Sequence, residues 1–525
     1  MQKARSNAWV IFIAILMAGA SAQAAVSVPH IIGDSMVLQR DKPVPIWGWA
    51  NKGETVKVKF GAQEMSAMAG DDGKWMVRLN PMPADKTGHE LIISAENTIT
   101  IKDVLVGEVW VCSGQSNMEF GVGGALNSAA EIKAADFPII RHIKIPYVHF
   151  PFPQSDVDAK WQVASPATIG GCTAVGFFFA RELVKNLDVP VGLIDSNWGG
   201  SCIETWICRE GFAAAPSLKA QSQQVEETYA DNDAGLKRYQ DYFARMKEWL
   251  AQAEKSVASK QNPAPAPAGP ALLGDNQQIT HCYNGKINPL VPYAIRGALW
   301  YQGETNGGEG ESYFHKMEAL IGGWRQVWKQ GDFSFYHVQL ANFQNSDANK
   351  PEMGDGWARL REAQLKSLSI PNTGMAVIID IGAANDIHPK NKQDVGKRLA
   401  AWALAKDYGK TVECSGPLYQ KFSVEKNKIR IQFDHAASGL MLGTKTKLEP
   451  VTESAEGKLT WISIAGEDKK FYWADAAIEG SALIVSSDKV PNPVAVRYAF
   501  AMNPQGANLY NKEGFPASPF RTDNW

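Results

Sequence analysis

The chain has 525 residues, of which 45% are hydrophobic and 21% charged, a composition typical of soluble globular proteins and not of disordered or fibrous ones. The formal net charge of −2 gives no indication of a nucleic-acid partner or of an anionic membrane surface. One hydrophobic core rarely serves so long a chain, so we expect roughly two or three domains.

The first residues have the pattern of a cleavable signal peptide. Lys3 and Arg5 form a positive region, an apolar stretch follows at 9–17, and the Ala-Gln-Ala triplet at 22–24 fits a cleavage site. The apolar stretch is short for a membrane span, which disfavours the alternative of an uncleaved anchor. We therefore predict a signal peptide at 1–24, a periplasmic or secreted location, and no membrane association after cleavage.

Three parts follow the signal segment. Short alternating strands with turn residues between them predict a small β-sandwich over 25–104. Strands alternate with helices over 105–411, which predicts an α/β fold with a doubly wound parallel sheet. A helical insertion at about 210–276 interrupts this part, either as a lid or as a solvated excursion. Residues 412–525 return to strands and predict a second β domain.

In the central part, the apolar runs are short enough for buried parallel strands, and helical periodicity appears between them. The predicted strands are 104–112, 191–195, 297–301, 333–340 and 375–380. The predicted helices are 175–187, 313–328, 357–368 and 395–408. Open α/β sheets bind ligands beyond the carboxyl ends of their strands. Polar residues just after these strands are therefore the candidates for a functional site.

A serine after the first of these strands is a candidate nucleophile. Ser116 lies in the hexapeptide 114–119 (Gly-Gln-Ser-Asn-Met-Glu), whose glycine allows the tight turn that lifts a hydroxyl into a cleft. His388 follows the last predicted strand and is the candidate base, with a structural role as the alternative for any one of the nine histidines. Asp386, two residues earlier, either orients the imidazole or caps the helix that begins after Pro389.

Two further loops contain candidates for an oxyanion hole, the set of donors that stabilises the tetrahedral intermediate of acyl transfer. Gly199 and Gly200 follow the second strand, and glycine lets backbone N–H groups approach a ligand closely. After the third strand, the side-chain amide of Gln302 or Asn306 is another candidate donor, and Glu304 is a candidate orienting residue. Each loop taken alone also fits an ordinary tight turn or polar loop.

Cysteines permit disulfides in an exported chain without requiring them, and the sequence leaves their pairing open. No Cys or His spacing typical of a structural zinc site occurs, which disfavours such a site. The acyl transfer predicted above needs neither a metal nor an organic cofactor. The cysteines are Cys112, Cys172, Cys202, Cys208, Cys282 and Cys414.

The order of these segments and the residues in them resemble the SGNH hydrolase superfamily and, within it, the sialate O-acetylesterase family of carbohydrate esterases. The matching segments are 109–118, 198–201, 283–290, 300–306 and 386–389. The resemblance implies a flavodoxin-like SGNH catalytic domain flanked by β domains, and a serine esterase that needs no cofactor. It makes Ser116 the nucleophile and His388 the base. The oxyanion donors would be the N–H groups of Ser116, Gly199 and Gly200 with one amide of the 302–306 block.

The resemblance also implies an acetylated sugar as the partner, namely sialic acid with a 9-O-acetyl group, which is cleaved through an acetyl-serine intermediate. We further predict supporting roles for Gln115 and Glu304, and substrate contacts for Trp198 and Arg361. For Arg361, a solvated helix arginine in an intrahelical ion pair is the alternative. The oligomeric state stays open.

The sequence departs from the superfamily pattern at one position, and two other functions are alternatives to the sialate O-acetylesterase activity. The superfamily places its acid three residues before the histidine, a position held here by Asn385, so the place of Asp386 in a triad stays open. An acetyl xylan esterase or another polysaccharide deacetylase is the alternative activity. A carbohydrate-binding protein without catalysis is the rival from a different class, and the 17 tryptophans are compatible with all of these.

Overall fold

The computed structural model describes residues 25–270, 275–454 and 456–525. The predicted signal peptide at 1–24 lies outside the described residues. Among the helices of the described part, none is both long and apolar enough to cross a membrane. All six cysteines are described, and all are free thiols.

Seven strands form the first part of the fold. They are β1 (Val37–Gln39), β2 (Val44–Trp49), β3 (Thr55–Phe60), β4 (Gln63–Met68), β5 (Lys74–Leu79), β6 (Asp85–Ser94) and β7 (Thr98–Gly114). In β3 and β5, exposed and buried residues alternate strictly, because one face of each strand packs on the core and the other meets solvent. β2 pairs with β5, whereas β3 lies between β4 and β6, and β6 pairs antiparallel with β7.

Strand β7 joins these N-terminal strands to the centre of the molecule. Its first half pairs with β6, and its second half lies in the central sheet. The predicted boundary between residues 104 and 105 therefore falls inside one continuous strand. One hydrophobic cluster also contains buried residues of both parts, from Val26 to Cys414. The N-terminal strands thus share the core of the α/β part instead of enclosing a separate one.

The second part alternates strands and helices. Its strands are β8 (Phe137–Lys144), β9 (Trp161–Ala164), β10 (Val191–Asn197), β11 (Gly297–Tyr301), β12 (Ser334–Val338) and β13 (Thr373–Ala376). Its helices are α1 (Ser116–Glu119), α2 (Ser128–Lys133), α3 (Ala174–Leu187), α4 (Arg209–Ala213), α5 (Lys219–Glu226), α6 (Asp233–Ala258), α7 (Glu311–Trp328), α8 (Gly356–Lys366) and α9 (Lys392–Lys406).

The central sheet has the strand order β13-β12-β11-β7-β10-β8-β9, and all neighbours are parallel except β8 and β9. The chain leaves β7 for β8, returns through β10 beside β7, and continues on the other side of β7 with β11. The loops after β7, β10 and β11 therefore emerge side by side, at the kind of reversal where a crevice opens. The predicted mixed α/β fold with a large, mainly parallel sheet is confirmed.

The last part contains antiparallel strands around a hydrophobic cluster of its own, which includes Ile431, Ile464 and Val496. These strands pair in three groups, β14-β15-β21-β20, β17-β16-β23 and β19-β18-β22-β24. They are β14 (Leu418–Glu425), β15 (Lys428–Asp434), β16 (Leu440–Thr444), β17 (Thr452–Glu453), β18 (Ile462–Gly466), β19 (Phe471–Trp473), β20 (Asp475–Glu479), β21 (Ala482–Ser486), β22 (Pro493–Tyr498), β23 (Leu509–Asn511) and β24 (Phe520–Arg521).

The structure adds one strand that the sequence pattern does not predict, and it shows how far the predicted insertion is buried. The pattern does not predict β8, because Arg141 and His142 interrupt its apolar run although both are buried in the fold. Within the predicted insertion, only Gly235 and Ala253 of α6 are buried, so this helix lies mostly in solvent.

Candidate active site

The turn at the end of β7 sets the position of the candidate nucleophile. Gly114 has φ +136°, and a Cβ added there would lie 2.1 Å from the carbonyl oxygen of Tyr301. Glycine alone allows these two backbones to approach so closely. The Gln115 N–H donates to the same carbonyl at 3.0 Å, and α1 begins at Ser116. The serine hydroxyl therefore stands at the carboxyl edge of the sheet.

His388 reaches Ser116 from the edge of the sheet. Its loop, 377–391, leaves β13, which is three strands from β7 at a spacing of about 4.8 Å per strand. The loop places His388 Nε2 2.8 Å from Ser116 Oγ, within hydrogen-bond reach. Asn117 Nδ2 donates to the carbonyl oxygen of Ile387 at 2.9 Å and so holds the loop. The structure thus brings together a hydroxyl and an imidazole, the pair that acyl transfer requires.

Asp386 lies beside His388 without the hydrogen bond that a triad would show. Its Oδ1 accepts the backbone N–H of His388 at 2.9 Å and lies 3.7 Å from the imidazole Nδ1. The alternative that it caps the next helix is wrong, because Asn391 is the N-cap of α9 and accepts the N–H of Asp394 at 3.0 Å. The carboxylate is close enough to stabilise an imidazolium by charge.

The surroundings of His388 favour its neutral form. Burial lowers the pKa of the imidazole, and the positive charge of Lys392 lowers it further. The charges of Asp386 and Glu119 raise this pKa and partly oppose the shift. A neutral imidazole is the form that accepts a proton from a serine hydroxyl, so the net direction suits a general base.

The two glycines after β10 differ in their hydrogen bonds. The Gly199 N–H donates to Glu119 Oε2 at 2.5 Å, so it is already engaged. A Cβ added at Gly199 would lie 3.4 Å from the Cβ of Ser116, which shows how closely this loop passes the nucleophile. Gly200 has φ +72°, and its N–H makes no hydrogen bond with any residue that the structure describes. Of the two, Gly200 is therefore the candidate oxyanion donor, together with Ser116.

The prediction that Gln302 or Asn306 stabilises the oxyanion is not met. Both side chains are buried. Gln302 Nε2 donates to Gln115 Oε1 at 3.0 Å and to Asn306 Oδ1 at 2.7 Å. Asn306 Nδ2 donates to the carboxylates of Glu204 and Glu309 at 3.1 and 2.6 Å. The loop after β11 turns both amides into the protein, where they meet internal acceptors instead of a ligand.

Gln115 is held by this same loop. Its Oε1 accepts the side-chain amide of Gln302 and the N–H groups of Gly303 and Thr305, at 3.4 and 3.2 Å for the two backbone donors. Backbone N–H groups can only donate, so they fix the amide oxygen on their side. The loop after β11 therefore positions the turn that carries Ser116.

A buried polar array lies behind the Ser-His pair. Asn117 Nδ2 donates to Glu304 Oε1 at 2.5 Å, and Asn117 Oδ1 accepts from Lys392 Nζ at 2.5 Å. Burial raises the pKa of the Glu304 carboxyl and lowers the pKa of the Lys392 ammonium to about 7. Because Asn117 also holds the carbonyl oxygen of Ile387, the array links the nucleophile helix to the loop that carries His388.

Aromatic side chains line the glycine side of the site. The ring of Trp198 packs 5.1 Å from that of Tyr147, which is 56% exposed. The Tyr147 hydroxyl donates to Glu119, the carboxylate that also accepts the Gly199 N–H. The buried Lys286 ammonium lies 5.5 Å from the centroid of the Trp198 ring. Trp198, a predicted substrate contact, is thus partly buried and pairs with the exposed ring of Tyr147 next to the turn of Ser116.

Arg361 is not part of this site. Its side chain is fully buried, and its guanidinium donates to the carbonyl oxygens of Leu340, Ala341, Ala501 and Met502. The predicted substrate contact is wrong, and so is the alternative of a solvated helix arginine. The reason is that α8 turns this residue into the junction with the C-terminal strands.

Sequence reasoning assigned no role to four residues of the site, Asn117, Glu119, Tyr147 and Lys392. Asn117 and Glu119 belong to the hexapeptide 114–119, so their closeness to Ser116 along the chain is a usable signal. Tyr147 and Lys392 carry no such signal, because distant loops bring them to the site.

Comparisons with known proteins place the chain among esterases. Residues 277–405 match a family model described as carbohydrate esterase, sialic acid-specific acetylesterase. The crystal structure of a carbohydrate acetylesterase from Xanthomonas citri is 35% identical, with a TM-score of 0.78, over 95% of this chain and 100% of that one. The chain belongs to the sialate O-acetylesterase family of carbohydrate esterases. As a member of this family, the protein is a carboxylic ester hydrolase.

Mammalian relatives match over nearly the whole length. The sialate O-acetylesterase of Rattus norvegicus is 28% identical over 93% of both chains. That of Homo sapiens is 27% identical over 96% of this chain and 94% of the human chain. The similarity of this esterase to them therefore includes the flanking strands as well as the α/β part.

Proposed function

We propose that the protein is a serine esterase that removes O-acetyl groups from sialic acids, with 9-O-acetyl esters as the main target. The observation that carries the proposal is the 2.8 Å contact between Ser116 Oγ and His388 Nε2, beside the loop of Gly199 and Gly200. The names of the mammalian relatives support the choice of sialic acid. The proposal includes an SGNH-hydrolase fold for the α/β part, and export to the periplasm or the medium after cleavage of residues 1–24.

The reaction begins at the serine hydroxyl. Ser116 Oγ attacks the acetyl carbonyl carbon while His388 Nε2 takes the hydroxyl proton. The carbonyl oxygen becomes an oxyanion that accepts hydrogen bonds from the N–H groups of Ser116 and Gly200. Such a donor lowers the barrier by ~3 kcal/mol.

The imidazolium then returns the proton. It protonates the sugar oxygen as the bond between that oxygen and the acetyl carbon breaks, so the sugar leaves as an alcohol and acetyl-Ser116 remains. Neutral His388 next takes a proton from water, whose oxygen attacks the acetyl carbon. Acetate leaves, and the proton returns to Ser116 Oγ. Asp386 stabilises the imidazolium at both stages, 3.7 Å from Nδ1.

Removal of the nucleophile tests the mechanism. Ser116→Ala should abolish acetate release from 4-nitrophenyl acetate and from 9-O-acetylated sialic acid, because no hydroxyl remains to form the acyl intermediate. Circular dichroism should show an unchanged fold. Ser259→Ala, at an exposed serine after α6, is the matched control and should retain full activity. Near wild-type turnover by Ser116→Ala would refute the assignment of the nucleophile.

The substrate needs a separate measurement. Acetate release from 9-O-acetylated sialic acid and from acetylated xylan should be compared at equal ester concentration. We expect the higher kcat/KM with the sialic acid ester. Hydrolysis of xylan esters alone would contradict the proposed substrate while leaving the serine mechanism in place.

A further inference from the structure

A cavity of about 650 Å³ adjoins the imidazole of His388. The loop 377–391 forms one wall, with Asp386 and Lys390 among its residues, and the C-terminal part forms another, with Lys445 and Lys447. The cavity is therefore an opening to which both the catalytic loop and the C-terminal strands contribute.

The proposed chemistry decides which part of the substrate lies near this cavity. The carbonyl oxygen faces the N–H groups of Ser116 and Gly200. The leaving oxygen must instead face His388, because the imidazolium gives its proton to that atom. The sugar therefore lies on the imidazole side, and the cavity beside His388 is where it extends.

The C-terminal loop that reaches this cavity is fixed to the catalytic loop. Lys445 Nζ lies 2.7 Å from Asp394 Oδ2, and it donates to the carbonyl oxygen of Glu449 at 2.6 Å. Asn391, the N-cap of α9, donates its side-chain amide to the carbonyl oxygen of Lys447 at 2.9 Å. The position of Lys447 is thus tied to the same segment that carries His388.

The cations of this cavity differ in their partners. Lys445 is neutralised by Asp394, and its side chain is only 6% exposed. Lys390 and Lys447 are exposed, and neither forms an ion pair with a residue of the described part. Among the acidic residues of the wall, Asp380 is paired with Arg398. Asp386, also in this wall, lies 3.7 Å from the imidazole of His388 and keeps its negative charge beside the base. With Lys390 and Lys447 against Asp386, the cavity keeps a net positive charge for a ligand.

We propose that Lys447 and Lys390 bind the carboxylate of an acidic sugar while its acetyl ester lies at Ser116. The inference rests on the proposed function and adds a subsite to it. It gives the C-terminal part a task in the reaction, since that part supplies one of the two cations. It also takes the place of the substrate contact that the sequence predicts at Arg361.

The test compares substrates that differ in one charge. Acetate release is measured for 9-O-acetyl-N-acetylneuraminic acid and for its methyl ester, in the wild type and in Lys447→Gln and Lys390→Gln. Each variant should raise KM for the free acid about fivefold, as expected for one exposed ion pair, and should leave the methyl ester and 4-nitrophenyl acetate unchanged. The wild-type KM for the free acid should rise with salt. Lys470→Gln, at an exposed lysine of the C-terminal part outside the cavity, is the control.

Each result supports or overturns the inference. An equal loss on the free acid and the methyl ester would mean that the lysines act on the fold, and unchanged kinetics on both would mean that they bind no carboxylate.

The panel of substrates also contains acetylated galacturonic acid and acetylated galactose. Preference for the uronic acid with no turnover of sialic acid would contradict the proposed function but support the cationic subsite. A wild type with no preference for any acidic sugar would overturn the subsite.

Discussion

At the residue scale, the buried array of Glu304, Asn117 and Lys392 connects the electrostatics of the site to its geometry. Asn117 accepts from the lysine and donates to the carboxylate, so each buried charge has a polar partner. The same amide holds the loop of His388. The array therefore acts on the base twice, through the position of the imidazole and through the charge that lowers its pKa.

The pH dependence of the reaction tests this link. We expect kcat/KM to fall on the acid side with an apparent pKa below 6.5, because protonated His388 cannot accept the serine proton. Lys392→Met removes a positive charge that lowers the pKa of the imidazole. The acid limb, which is the fall of kcat/KM at low pH, should therefore move to higher pH. The measurement is kcat/KM for 4-nitrophenyl acetate across the acid and neutral range.

The control for this series is Lys397→Met, at an exposed lysine on the same helix. Its acid limb should coincide with that of the wild type. Loss of positioning alone would lower kcat of Lys392→Met at every pH without moving the limb. An acid limb at the wild-type pH would therefore contradict the claim that the charge of Lys392 lowers the pKa of His388.

At the scale of elements, the site depends on how closely the ends of β7 and β11 approach each other. Gly114 lies against the carbonyl oxygen of Tyr301, and the loop after β11 then binds Gln115. The nucleophile turn is thus held by a neighbouring strand as well as by its own helix. A rigid strand end is a more exact support for a catalytic group than a free loop.

Substitution at this contact should misplace the nucleophile. Gly114→Ala puts a Cβ 2.1 Å from the carbonyl oxygen of Tyr301 and forces the turn to move. A displacement of about 1 Å at a reacting group lowers turnover about 100-fold, so kcat for 4-nitrophenyl acetate should fall by this order. Gly322→Ala in α7, where the added Cβ meets nothing within 4 Å, should leave kcat unchanged. Full activity of Gly114→Ala would show that the turn tolerates a side chain.

At the scale of the whole molecule, the C-terminal part is attached to the α/β part by polar contacts, of which those of Arg361 are buried. Arg361 of α8 donates to the carbonyl oxygens of Ala501 and Met502. Arg521 of β24 forms an ion pair with Glu362 on the same helix, at 2.7 Å. These contacts help to hold the C-terminal loop of Lys447 against the cavity beside His388.

The junction should therefore be sensitive to Arg361. Arg361→Met removes the guanidinium donor from four carbonyl oxygens, and those of Leu340 and Ala501 accept from no other residue that the structure describes. The loss should lower the free energy of unfolding by about 3–5 kcal/mol. Thermal unfolding is the measurement, and Arg359→Met, at an exposed arginine on the same helix, should change the midpoint little. An unchanged midpoint together with a raised KM for the sialic acid ester alone would restore Arg361 as a substrate contact.

Much of the architecture could be predicted because its causes are local. Strand β11 has the predicted bounds, and the helices after β9, β11, β12 and β13 follow from the apolar period. The boundary after residue 104 could not be predicted, because two sheets share one strand and no turn residue marks the change. The exposed–buried alternation of β3 shows one solvated face, but it does not show which core the other face joins.

For the site, the amino-acid sequence by itself determined which residues can do acyl chemistry, Ser116 and His388, and where glycine frees the backbone, at Gly114 and at the pair Gly199 and Gly200. These properties belong to single residues and to their immediate neighbours. Only the tertiary structure decided which polar groups face the cleft. It turned Gln302, Asn306 and Arg361 inward and brought Lys392 and Lys447 to the base. The physical reason is that a side chain's partners are set by how distant loops pack across the sheet edge, and chain order does not encode that distance.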